Sequence, residues 1–298
     1  MLTQILLLLA ASTRPVVAPV VVERPAAATI YALGDVHGDY ERMTTLLEAA
    51  HIVDKDGHWA AGKATFVVTG DMIDKGPRPV DVLRLLAALR TEAPKAGGEA
   101  ILLSGNHEAE FLAGPDEKKA ADFIADLNKH GLSAAQVAAC KSDIGEILCS
   151  LPYAARVGDW FFSHGGNTAG LTIPQLTDGI VSGRYQLTAP DSILEARLGE
   201  GKQQWIESQN EPELLRRYAD ALGVQHMVQG HQHGDVEFQG GVKRHGGQMF
   251  CYQGLLCLID VGMSREIDDS KGAILQIEAN RVNQIYPDGS ERPVETSK

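Results

Sequence analysis

The feature that most restricts this chain is a recurrence. Five short apolar runs each end against a polar loop carrying residues that bind cations or move protons. "TIYAL" (29–33) runs into Gly34, Asp35 and His37. "ATFVVT" (64–69) runs into Gly70, Asp71 and Asp74, and "AILLS" (100–104) into Gly105, Asn106 and His107. "WFFS" (160–163) is followed by His164, and "HMVQ" (226–229) by Gly230 and His231. Runs this short, bounded by glycine and rich in β-branched or aromatic residues, read as buried strands. "LLCLID" (255–260) is a further candidate. Helical patterns fall between them at 40–50 and at 79–91, the second opened by Pro79. Residues 116–150 read as two more helices, and 272–287 as an antiparallel hairpin turning at Ala279 and Asn280. Strands alternating with helices predict an α/β fold with covered sheet faces. In such sheets ligands gather beyond the carboxyl ends of the strands. The polar residues fall at those ends.

Each loop alone has an ordinary explanation. "GDVHGD" and "GDMIDKGPRP" contain the residues that turns prefer. "GNHE" suits a helix start, with Asn106 as the cap and Glu108 in the first turn. The ordinary explanations weaken together, because the same residue types follow five separate strands. Asp39, beside the first group, reads as the N-terminal residue of the helix at 40–50.

The joint reading is a site for two divalent metal ions. Carboxylates, neutral imidazoles and an amide oxygen suit Mn²⁺, Fe or Zn²⁺. One carboxylate must bridge if two ions are to lie about 3.5–4 Å apart. Such a pair clamps a phosphate and generates hydroxide near neutral pH, which attacks phosphorus in line. His107 is placed to protonate the leaving oxygen, with Asp74 orienting its ring.

The strings "GDVHG", "GDMIDKG", "GNHE", "SHGG" (163–166) and "GHQH" (230–233) resemble, in this order, the metal-binding motifs of the calcineurin-like metallophosphoesterases. They are most similar to the phosphoprotein phosphatase branch. "DKDGHWAAGKATFVVTGDMIDKGPRP" and "LIDVGMS" resemble the bacterial Shewanella-like phosphatases. The resemblance covers about residues 29–265. It implies a central β-sandwich flanked by α-helices, in a single domain. It also implies one metal on Asp35, His37 and Asp71, and a second on Asp71, Asn106, His164 and His231. Family members usually carry arginine where this chain has Lys75, which holds phosphate without a bidentate fork. Arg78 is a candidate to compensate. Arg197 is the candidate for a second phosphate-binding arginine, ahead of Arg184. His233 is read as a loop residue.

The function expected is a metal-dependent phosphomonoesterase, and the resemblance implies that it acts on phosphoserine, phosphothreonine or phosphotyrosine in proteins. The alternatives are a phosphoesterase for dinucleoside polyphosphates or small phosphoesters, and a non-catalytic metal-binding module. The net charge of −12 comes without a basic cluster, so nucleic acid is not an expected partner.

Residues 1–28 are expected to be a signal peptide or a disordered leader. Its run "LTQILLLLAA" is too short to span a bilayer and reads as the core of an export signal, with Ala26–Ala28 as the cleavage region. The expected place is periplasmic or secreted, and otherwise cytoplasmic. The catalytic domain is expected over 29–290, with a tail at 291–298. Cys140, Cys149, Cys251 and Cys257 form no CxxC pair, which argues against a zinc knuckle or a thioredoxin-type motif; their even number permits disulfides in an exported chain, and buried free thiols are the plainer expectation.

Overall fold

In the computed structural model, Thr65–Val68 is a strand buried at all four positions. Its side chains alternate between two cores. Phe66 and Val68 join a core shared with helices, while Val67 joins one shared with a second sheet. A strand covered on both faces must be apolar throughout, and this one is.

The structure describes residues 19–198, 211–268, 270–279 and 281–297. In chain order the elements are β1 (Val21–Arg24), β2 (Thr29–Leu33), α1 (Tyr40–Ala49), β3 (Thr65–Val68), α2 (Pro79–Glu92), β4 (Glu99–Leu102) and α3 (Asn106–Ala113). Then come α4 (Ala121–Lys129), α5 (Ala134–Ala138), α6 (Asp143–Cys149), β5 (Ala154–Val157), β6 (Trp160–Ser163), α7 (Ile173–Val181), α8 (Glu211–Leu222) and β7 (His226–Gln229). The chain finishes with β8 (Val236–Phe238), β9 (Val242–Arg244), β10 (Phe250–Tyr252), β11 (Leu256–Leu258), β12 (Ile274–Glu278), β13 (Arg281–Ile285), β14 (Glu291–Pro293) and β15 (Glu295–Thr296).

Among the described residues, besides a two-stranded sheet of β8 and β9, one large sheet runs β1-β5-β6-β7-β11-β10-β15 and a second β14-β13-β12-β2-β3-β4. They face each other through Ile30, Val67 and Leu275 on one side and Phe162, Val228 and Cys257 on the other. Leu46 of α1 and Leu83 and Leu86 of α2 cover the outer face of the second sheet. Leu176 of α7 and Leu215 of α8 pack with Phe161 and Met227 on the outside of the first. Each such fully buried side chain contributes about 1.5–3 kcal/mol of transfer free energy. The architecture is a single-domain β-sandwich flanked by helices, as the resemblance implied.

Several sequence expectations change. The region 116–150 holds three helices rather than two, because Gly131 and Cys140 adopt left-handed φ of 69° and 59° and interrupt it. The hairpin at 272–287 forms between β12 and β13; Ala279 sits at its turn, and Asn280 lies outside the described residues. The domain boundaries at 29 and 290 are both too narrow. β1 pairs in parallel with β5, and β15 with β10, so folded structure extends beyond each boundary. The apolar leader run lies outside the described residues. No described helix is long and apolar enough to cross a membrane.

The free-thiol expectation is overturned. Cys140 pairs with Cys149 and Cys251 with Cys257. Sequence spacing concealed the second pair, because strand register decides it: β10 and β11 are antiparallel and place Cys251 directly opposite Cys257.

Candidate functional site

β2, β3 and β4 are adjacent and parallel, so their carboxyl ends open on one edge of the sandwich. β6 and β7 are also parallel, in the facing sheet. The five ligand-bearing loops leave these five strand ends. Close approach between two loops requires glycine. A Cβ on Gly70 would lie 2.4 Å from Gly105 N, and one on Gly105 would lie 2.2 Å from Asp71 Oδ1. The backbone is also forced into the left-handed region at His37, Asp71, Asp74, Lys75 and His231, with φ of 46°, 50°, 63°, 56° and 60°. Such conformations are unfavourable for residues with a Cβ and persist where the surroundings over-determine them.

Two groups of ligand-type atoms converge here: Asp35, Asp71, His164 and His231, and His37, Asp71 and His107. Asp71 belongs to both. Its Oδ1 lies 3.4 Å from His164 Nε2, and its Oδ2 lies 3.7 Å from His37 Nε2. Asp35 Oδ2 is 3.8 Å from His37 Nε2. Three imidazoles are fixed by backbone carbonyls. His37 Nδ1 donates to Ile73 O (3.2 Å), His164 Nδ1 to Thr69 O (3.1 Å) and His231 Nε2 to Glu195 O (3.2 Å). Each tether commits one nitrogen as donor and turns the other toward the cluster, the usual arrangement of metal-binding histidines.

The electrostatics agree. Burial, reinforced by Lys75 and His107, pushes His37 down to about 3, so its ring is neutral. Burial and the neighbouring His164 lower His231 well below its usual value. Burial raises Asp35, and Asp260 beside it raises it further. Burial opposes charge on Asp71, but the surrounding imidazoles hold it well below the usual carboxylate range. Burial also opposes charge on His164, yet Asp71 and Asp35 lift it to about 9. Positive charge is therefore wanted between these carboxylates.

Asn106 Oδ1 makes the same point, facing His164 Nε2 at 3.0 Å. With a neutral ring, the amide would have to turn around and give its oxygen to Lys119 Nζ, 3.1 Å away. That oxygen also faces both Asp71 oxygens, at 3.1 and 3.2 Å, so it stays where it is only with a cation in the cluster. A divalent cation supplies that charge while leaving the imidazole neutral. The donor set therefore fits two divalent cations sharing Asp71.

Next to the cluster, His107 Nδ1 bonds Asp74 Oδ2 at 2.8 Å, and His107 Nε2 lies 3.9 Å from Asp71 Oδ2. A cavity of about 220 Å³ is lined by His107 and Asp71, together with Asp35, His37, Asn106 and His231. Lys75 and Arg197 line it, although Arg197 spends one N–H on the His231 carbonyl (2.7 Å). Arg78 is corrected. Its guanidinium bonds Glu41 and Asp81, each at 2.7 Å, stacks on Tyr40, and does not line the cavity. Arg184 pairs with Asp178 on the surface. His233, in the loop between β7 and β8, also lines the cavity, with Nδ1 bonded to Asp268 at 2.7 Å. Asp39 caps α1 through Arg42 N.

Sequence reasoning missed three residues. Glu108, read there only as a first-turn residue, is fully buried and accepts from the backbone N–H of Asp71, Met72, Ile73 and Gly105 at 2.7–3.2 Å. It holds the Asp71 loop in place. Lys119 and Glu195 also line the cavity. The signal for Glu108 was its place in "GNHE"; neither of the others carries a local sequence signal.

A two-sheet α/β sandwich with a buried, carboxylate-bridged histidine cluster at its strand ends is the frame of a dinuclear metallohydrolase. The chain belongs to the calcineurin-like phosphoesterase family, whose profile matches residues 28–235. It is similar to Shewanella-like protein phosphatase 2 of Arabidopsis thaliana, at 32% identity over 124 residues, 41% of this chain and 30% of that protein. It is also similar to the symmetrical bis(5'-nucleosyl)-tetraphosphatase of Escherichia coli, at 37% identity over 83 residues, 28% of this chain and 25% of that protein. The chain thus spans less than a third of either curated relative. The crystal structure of a cold-active protein-tyrosine phosphatase from a psychrophilic Shewanella superposes with TM-score 0.69 and 25% identity, over 92% of this chain and 82% of that one.

Proposed function

We propose that this metal-dependent phosphatase hydrolyses phosphomonoesters on proteins. The observation that carries the reading is Asp71, whose two oxygens face different metal-competent imidazoles, with the His107–Asp74 pair alongside. Bound here, two divalent cations would polarise the phosphate and ionise a water near neutral pH. The ligand atoms are oxygen and imidazole nitrogen without thiolate, which suits Mn²⁺. Asp35, His37 and Asp71 would hold one ion, and Asp71, Asn106, His164 and His231 the other. His107 donates a proton to the leaving oxygen, and Asp74 keeps its ring oriented for that transfer. Lys75 and Arg197 hold the phosphate by charge. Preference for protein substrates is supported by the similarity to the Shewanella-like protein phosphatases and to the Shewanella tyrosine phosphatase.

The similarity to the tetraphosphatase sustains one competing substrate class. One assay separates them. Purified protein with Mn²⁺ is given peptides bearing phosphoserine, phosphothreonine or phosphotyrosine, and separately a dinucleoside tetraphosphate. Phosphopeptide turnover with a kcat/KM well above that for the dinucleotide is expected; the reverse order overturns the protein-phosphatase reading.

We also propose that the protein is exported. Two disulfides support this, one of them through the exposed Cys140, since such bonds persist in oxidising compartments. The apolar leader run supports it too. Because Val21–Arg24 is a sheet strand, cleavage is expected before it rather than at Ala26–Ala28. The intact mass of protein from the periplasmic fraction tests this.

A further inference from the structure

α3 begins at Asn106, and Glu110 lies four residues later, on the same face of the helix. Glu110 pairs with Lys119, which sits on the short 3-10 turn Lys118–Ala120. This ion pair brings the Lys119 ammonium back over the start of α3. With Asn106 Oδ1 directed into the cluster, the amide nitrogen occupies the end that lies 3.1 Å from Lys119 Nζ. Among the described residues, two N–H donors then stand side by side at the cavity wall, which the Glu195 carboxylate also lines. Neutral or cationic donors this close are favourable only when one acceptor serves both. Glu110 cannot be that acceptor for the amide in this orientation: it holds Lys119, and the pair is half-exposed, with Lys119 43% accessible.

The known cations of the cavity leave room for such a role. Lys75 is a point charge without a fork. Arg197 has one arm engaged with the His231 carbonyl. Arg78 is turned away. We propose that Lys119 is a substrate-phosphate ligand, which together with the Asn106 amide N–H grips one phosphoryl oxygen. Glu110 positions its ammonium for this contact. The inference rests on the phosphoesterase reading for its substrate, but its test does not depend on turnover.

The test uses inorganic phosphate and the Mn²⁺-loaded protein. Phosphate binding is measured by calorimetry for wild type, Lys119→Met and Lys119→Arg, with the metal content of each preparation determined alongside. Lys119→Met should raise the Kd for phosphate by about tenfold, or ~1.4 kcal/mol, at unchanged metal content. Lys119→Arg should restore most of the affinity. An unchanged Kd in Lys119→Met overturns the proposal and leaves Lys119 as a structural partner of Glu110. A second measurement needs no variant. Phosphate should slow acetylation of Lys119 in the wild-type protein relative to the neighbouring exposed Lys118, and equal rates with and without phosphate count equally against it. If phosphate binding requires Lys119 but no phosphomonoester is hydrolysed, the functional reading fails and this one stands. If esters are hydrolysed and Lys119→Met binds phosphate normally, the converse holds.

Discussion

His107 Nδ1 lies 2.8 Å from Asp74 Oδ2, across 33 positions of sequence, and both side chains are buried. A carboxylate at this distance fixes the ring and suits it to the proposed role of general acid. His107→Ala should keep the metals and lose about 10²- to 10⁴-fold in turnover, most for esters with poor leaving groups. Comparing aryl with alkyl phosphates checks this. Equal losses on both would remove the acid role from His107.

Asp71→Asn should lose metal and activity together, because an amide cannot offer two anionic oxygens to two ions. Metal analysis of the purified variant is the measurement. Full metal occupancy would disprove the bridge.

Lys75→Ala should raise KM for phosphate esters more than it lowers kcat. Arg78 is held by Glu41 and Asp81, so Arg78→Ala should leave KM unchanged. Steady-state kinetics on both variants decide between them. A KM effect confined to Arg78→Ala would reverse the assignment.

Glu108→Ala would strand the backbone N–H groups that its carboxylate now accepts, each buried donor costing about 1–3 kcal/mol. Thermal melting should show a clear fall in the midpoint, and metal affinity should weaken because the Asp71 loop loses its anchor. A midpoint equal to wild type would mean that the loop does not depend on Glu108.

Chelation should destabilise the protein. Asp35, Asp71, Glu108 and Asp260 are buried near one another, and burial raises three of them. Cations that bind only the folded state add stability by mass action. Melting with EDTA should give a lower midpoint than with Mn²⁺, and added Mn²⁺ should restore it. Identical midpoints would argue against a buried metal pair.

Much of the site was legible because its residues follow strands directly. Asp35, His37, Asp71, Asn106, His164 and His231 needed only the strand ends and the chemistry of their side chains. Helix starts at Tyr40 and Pro79 were legible for similar local reasons, a capping aspartate and an N-terminal proline. The phosphate-binding groups were harder. Arg78 sits close to Asp74 and Lys75 in sequence, yet its guanidinium turns to Glu41. Lys119 lies 13 positions past Asn106, and only the Glu110 ion pair brings it back.

By itself, then, the sequence determined the α/β class and the residues that gather in the buried cluster, since strand periodicity and side-chain chemistry are local properties. Tertiary structure alone decided which strands face each other, which cysteines join, and which cations reach the cavity. Those outcomes depend on register and on the partner that captures each long side chain, and neither is written in any short stretch of the chain.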